Sequence, residues 1–222
     1  MTDLMSALMV TFLLMSIGYA YQVSEQARGL EKKSENITRI TSSFAERRKL
    51  IYDQLMSSFS SRLEVWQASI DEETLTFRFE NPNLLFETGS AKLKVGFLEI
   101  LEEFWPKYTE ILQRHSSIIR EVKIEGHTSS DWENATLKES YFNNMRLSQE
   151  RTRSTLESCY EMTPEKSRLW VRSFVTSNGM SFSRVIRDGE GNEDAELSRR
   201  VEFTVVIDAG KSLEKIIGEL DD

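Results

Sequence analysis

TLTFRFENPNLLFETGSAKLK, Thr74 to Lys94, is the stretch that decides the fold of the larger part of this chain. Leu75, Phe77 and Phe79 alternate with Thr76, Arg78 and Glu80, the two-residue period of a strand with one buried and one wet face. Pro82 offers no amide hydrogen to a ladder and ends the strand. From Ala91 to His115 the period changes, and Leu93, Phe97, Leu98, Leu101, Phe104 and Trp105 recur at helical spacing, with a kink or break predicted at Pro106.

Toward the C-terminus, IIREVKIEGHT carries Ile119, Val122 and Ile124 as a second strand. A helix is predicted over Asn144 to Tyr160, and another starts near Pro164 and carries Leu169, Trp170, Phe174 and Val175. RRVEFTVVI is the final strand. Strands alternating with helices predict an α/β sandwich with helices on one face of a mixed sheet, over 71–208. The tail, 209–222, has room for a short helix over Lys211 to Leu220.

Toward the N-terminus, 22–70 contains no proline and reads as a long helical stalk. Ile37, Phe44 and Ile51 sit seven apart, Ile40 and Leu55 fill intermediate turns, and Phe59, Leu63, Trp66 and Ile70 continue in a shifted phase. The stripe suits a two-stranded coiled coil, or a helix packed on a neighbour, with a helix folded back on its own domain as the alternative. Before it, 1–21 includes Leu4 to Tyr21 without a charge, about 27 Å of helix against a hydrocarbon core of roughly 30 Å. No Lys or Arg precedes the apolar run, which argues for a transmembrane helix over a cleaved signal peptide. The first basic residues, Arg28, Lys32 and Lys33, follow the span and by themselves would keep the C-terminal bulk in the cytoplasm. A basic leader ahead of Met1 would reverse that expectation.

The 222 residues are 39% hydrophobic and 29% charged, as for an ordinary globular domain with added segments. A net charge of -8 argues against nucleic acid as a partner, because phosphate binding needs a basic surface. A single cysteine, Cys159, excludes an internal disulfide, and His115 and His127 make no metal-ligand spacing with it. No nucleophile elbow, P-loop or zinc-protease helix is present, so no catalysis is expected and no cofactor is implied.

LLFETGSAKL resembles the opening of OmpA-like peptidoglycan-binding domains, and KIEGHT, NNMRLSQERTRS and LSRRVEFTVV resemble the three later landmarks of that family, in order. DLMSALMVTFLLM is similar to the membrane helix of MotB-type stator subunits, in which an Asp precedes a Met- and Ala-rich apolar stretch. Few other families join such a helix to an OmpA-like domain. Within that group the GHTSSDW stretch and the proline-free stalk resemble the B subunits of the Zorya anti-phage defence system, with flagellar MotB as the neighbouring alternative.

This resemblance implies an ion-driven motor subunit, a homodimer working with a polytopic A-type stator subunit (ZorA- or MotA-like). It would pass once through the bacterial inner membrane, with its C-terminal domain periplasmic and held to peptidoglycan. Asp3 would carry the translocated ion, by resemblance a proton. An ionised carboxylate costs roughly 2.5 to 3.5 kcal/mol at a helix centre, so it is neutralised there or faces a protein interior. On its own, Asp3 also suits a plain helix cap. With Asp3 as a cap, the chain reads instead as a static envelope tether.

The wall ligand implied is a diaminopimelate-type zwitterion, which requires an arginine fork and a nearby acid or carbonyl. By resemblance Arg151 is the ligand-binding arginine, and Asn144 and Leu147 belong to the same helix motif; at i, i+3 and i+7 the three share one helix face. Thr128 matches the threonine that ends the strand, and Arg199 and Arg200 match a terminal pair of which one lines the site. The family usually has Asp after GHT. This chain has Ser129, and Asp131, two residues on, is the candidate replacement.

Overall fold

The computed structural model describes residues 2–208; the side chain of Asp3 and the tail over 209–222 lie outside the described residues. The chain divides into two compact units, one up to Ala45 and one from Glu46. Helix α1 (Thr2–Trp66) supplies the whole of the first and the opening of the second.

In the first unit α1 contains a window of mean hydropathy 1.7, which by length and composition is able to cross a membrane. Leu4, Met5, Leu8, Phe12 and Met15 are exposed along it. Its hydroxyls turn inward to the helix itself: Thr11 Oγ1 donates to the Ala7 and Leu8 carbonyls, and Ser16 Oγ donates to the Phe12 carbonyl at 2.8 Å. Hydroxyls satisfied in this way remove the penalty of carrying polar atoms into hydrocarbon.

The second unit begins inside α1. Ile51, Leu55 and Phe59 are spaced by four and are fully buried, with Trp66 beside them. Phe59 meets Phe77 edge-on at 5.5 Å and Phe104 at 5.4 Å. The helix stops where Gln67 turns to a left-handed φ of 47°, and β1 (Ala68–Asp71) runs back antiparallel to β2 (Thr76–Phe79). The stalk reading therefore ends early. Ile51 and Leu55, read from the sequence as stalk stripe, fill the core of the globular unit, whereas Ile37 is exposed. Ile70, assigned to the same helix, lies in β1.

After β2 come the short helix α2 (Pro82–Leu85), α3 (Val95–Arg114), β3 (Ile119–Gly126), α4 (Leu137–Met162), α5 (Glu165–Phe174), β4 (Val175–Gly179), α6 (Ala195–Ser198) and β5 (Val201–Ile207). The sheet order is β1-β2-β5-β3-β4, with β3 and β4 parallel and the remaining pairs antiparallel, giving the mixed sheet expected. Register places Phe77, Phe203 and Ile124 side by side on one face, and Arg78, Glu202 and Glu125 on the other. The helices cover the aromatic face, where Phe104 stacks on Tyr108 at 4.7 Å and meets Phe203 at 5.1 Å.

Three local expectations change. The break allowed for at Pro106 does not occur: helix α3 continues through it, with Pro106 and Glu102 both exposed. Helix α4 starts at Leu137, seven residues before the predicted start, on a capping box in which Thr136 accepts from the Glu139 amide and the Glu139 carboxylate accepts from the Thr136 amide. Val175, assigned to a helix, opens β4 and pairs with Val122.

Helix α4 lies against the ends of β3 and β4 through small side chains, Ser140, Ser148, Thr152 and Thr155 among them. The contact is close enough that a Cβ on Gly126 would come 2.6 Å from Thr152 Cγ2, and one on Gly179 would come 2.4 Å from the Gln149 backbone nitrogen. Backbone at that distance cannot step aside. Gly179→Ala is expected to destabilise the fold by about 1–3 kcal/mol in urea titration, while Gly189→Ala, in open space, stays within about 0.5 kcal/mol. Equal stability of the two variants would contradict this packing.

Candidate functional site

The approach of α4 sets one wall of a cleft of about 560 Å³ at the C-terminal end of β3. Thr128, Asp131, Asn144, Leu147, Arg151, Arg199 and Arg200 all line it, so the structure brings together every candidate picked out in this domain. They do not play equal parts.

Arg151 is half-buried, and its guanidinium lies 4.9 Å from the Phe86 ring centroid. Its Nε donates to the Ser90 carbonyl at 2.9 Å, and a terminal nitrogen donates to the Glu87 carbonyl at 3.4 Å. Those carbonyls are presented by a turn in which the Ser90 amide donates to the Glu87 carbonyl and Gly89 takes a φ of 66°, a left-handed conformation suited to glycine. Carbonyls and a ring fix the plane of the fork without cancelling its charge. Burial, followed by the nearby Arg199 cation, pulls its pKa down to about 10, which still leaves it cationic at neutral pH. Among the described residues no carboxylate comes within ion-pairing distance of Arg151 or Arg199. The fork keeps donors free for a bidentate carboxylate.

Arg200 is the other member of the terminal pair and is committed to the fold. Its Nε donates to Glu202 Oε1 at 2.7 Å, and its terminal nitrogens donate to the Ser198 and Arg184 carbonyls. Arg78 donates to the same Glu202 oxygen at 2.6 Å. His127 Nε2 stands 3.2 Å from Glu202 Oε2. Sequence reasoning missed Glu202, whose signal is its place two residues after Arg200, on the polar face of β5.

Thr128 is 3% exposed, and its amide donates to the Ser181 carbonyl at 3.0 Å, yet Oγ1 has no partner. A buried hydroxyl left unmet costs about 1–3 kcal/mol, so this atom calls for a ligand group or a water. Asn144 is equally buried, with Nδ2 donating to Ser140 Oγ at 3.4 Å. Leu147 supplies apolar wall. The site thus presents two uncancelled guanidinium groups, a buried hydroxyl and an amide, a set that receives a carboxylate.

No protein-family profile matches the chain. It is 40% identical over 221 residues to the Zorya protein ZorB of Escherichia coli (strain Crooks), across 99% of this chain and 91% of that protein. The chain belongs to the ZorB family. Among solved structures, this ZorB-family chain is similar to a putative MotB-like protein from Desulfovibrio vulgaris, with 20% identity, a TM-score of 0.54, and coverage of 75% of this chain and 98% of that one. That likeness concerns the fold.

Glu202 ties the cleft of this ZorB-family chain to pH. Burial alone would push its carboxyl up; the His127 ring and the Arg200 guanidinium outweigh burial and hold it well below the usual carboxylate range. A depressed carboxyl contributes stability that is complete above its unfolded value, near 4.5, and is lost as pH falls below it toward the folded value. Urea unfolding is expected to show that loss below about pH 4.5. Glu202→Gln is expected to be about 3–5 kcal/mol less stable at pH 7 and to lose less on acidification. An unchanged acid slope in Glu202→Gln would contradict this assignment.

Proposed function

We propose that this chain is the B subunit of a stator-type, ion-driven motor of the Zorya anti-phage defence system, anchored to peptidoglycan through the cleft. The observation that carries the reading is the 40% identity to ZorB over 99% of the chain, which takes in both the apolar helix and the cleft. In this reading α1 passes once through the bacterial inner membrane, the OmpA-like domain stands in the periplasm, and two copies work with a polytopic A-type subunit. One helix per chain cannot enclose an ion path alone, and a torque-generating unit that is not held turns itself.

Asp3, at the head of the apolar run, is the ion carrier, loading and releasing with each passage down a field worth about 2.3 kcal/mol per charge per 100 mV. Arg151 and Arg199 receive the carboxylate of a diaminopimelate-type side chain, with Thr128 Oγ1 and Asn144 as neutral partners and Leu147 against its methylenes. The carbonyl-held fork of Arg151 supports this role, because its charge is not spent inside the protein.

The test expresses the full chain with its A-type partner. Asp3→Asn is expected to abolish protection against phage while the membrane complex still assembles. In a pull-down with purified sacculi, Arg151→Ala is expected to lower retention at least about tenfold, the scale of losing a charge-assisted contact. Native protection by Asp3→Asn would overturn the ion role, and equal retention by Arg151→Ala would overturn the wall role.

A further inference from the structure

The same cleft carries acids as well as cations. Asp131 and Glu133 line it from the loop between β3 and α4, both exposed, and among the described residues neither is paired with a cation. They stand in a cavity that also holds the buried, partnerless hydroxyl of Thr128. Ser129, at the position after GHT, is buried and carries no charge to set against an ammonium group.

The loop is held in an unusual way. Ser130 receives three bonds: its amide donates to Glu193 Oε1 at 2.9 Å, its hydroxyl donates to Glu193 Oε2, and its carbonyl accepts from Ser140 Oγ at 2.7 Å. Glu193 comes from a separate turn closed by its bridge to Arg187, in which Asp188 Oδ1 accepts from the Glu190 and Asn192 amides. Both oxygens of Glu193 are spent on one serine, and among the described residues Glu193 pairs with no cation. An acid spent on a serine gains no ion pair; what it fixes is the path of the next three residues.

We propose that Glu193 is a positioning residue for an ammonium-recognising wall: through Ser130 it sets the loop so that Asp131 and Glu133 meet the ammonium of a ligand whose carboxylate lies at Arg151. The cleft then selects a free amino-acid zwitterion over the same group with its amine blocked. This rests on the wall-binding reading and adds its specificity.

The probes are the tripeptide L-Ala-γ-D-Glu-meso-diaminopimelate and the same peptide acetylated on its distal amine, titrated calorimetrically into the full chain in detergent micelles. The native chain is expected to favour the free amine at least about tenfold, as charge recognition does. The Asp131→Asn, Glu133→Gln double variant brings the ratio to about one, and Glu193→Gln brings it below about threefold, the loss falling mainly on the free-amine peptide. Arg151→Ala weakens both peptides together, which separates carboxylate from ammonium recognition. If Glu193→Gln does not fold by circular dichroism, Ser130→Ala decides in its place. A native ratio near one, or a native ratio retained in Glu193→Gln or in its substitute, overturns the proposal. Failure of the native chain to bind either peptide overturns the wall-binding reading and the proposal with it.

Discussion

The close approach of α4 to the ends of β3 and β4 is the constraint on which the site depends. Gly126 and Gly179 leave no room for a Cβ, so the helix backbone rests almost on the sheet. Ser148, fully buried at that contact, accepts from the Ser181 amide at 3.0 Å and ties the chain after β4 to the helix. With the axis fixed in this way, a single helix face delivers Asn144, Leu147 and Arg151 to one cleft. A larger residue at either glycine would lift the helix and carry the arginine away from the Ser90 and Glu87 carbonyls.

Charge is apportioned with similar economy. Several cations and several acids surround the strand ends, yet the structure neutralises only some of them. Glu202 takes Arg200 and Arg78, which removes these arginines from competition for a ligand and braces the polar face of the sheet. Arg151 is left with backbone carbonyls and a ring, and with Arg199 as a neighbouring cation. An arginine held by dipoles keeps its net charge, whereas one held by a carboxylate does not, and only the first attracts an anion from water. The cleft is pre-organised for a carboxylate because, among the described residues, no carboxylate is paired with Arg151 or Arg199.

Much of this was legible in the sequence. The alternation over Thr76–Phe79 and Val201–Ile207, and the helical spacing of Phe97, Leu101 and Phe104, each encode a face that ends up on one shared core. The i, i+3, i+7 set on α4 likewise needs only helix geometry. The misreadings have local causes. Ile51 and Leu55 fit a stalk and a domain core equally well, because both bury one helical stripe, and periodicity does not name the partner. Pro106 breaks helices on average, but here it falls on the exposed side of α3, away from the core that holds the helix in place. The division of labour between Arg199 and Arg200 was harder to read: it turns on Glu202, two residues after Arg200, and on the Arg184 carbonyl, which the fold brings to Arg200 from 16 residues away. The Glu193–Ser130 contact joins residues 63 apart and leaves no sequence pattern.

The central claim is that the Arg151 guanidinium is an uncancelled charge aimed at a ligand carboxylate. It is tested most directly by nitrogen-15 NMR of the arginine side chains in the full chain in micelles, titrated with the diaminopimelate tripeptide. The account predicts that the Arg151 Nε–H resonance shifts with saturation, together with the Thr128 amide, while Arg200 Nε–H stays still in its bond to Glu202. A shift at Arg200 with Arg151 unmoved would contradict it.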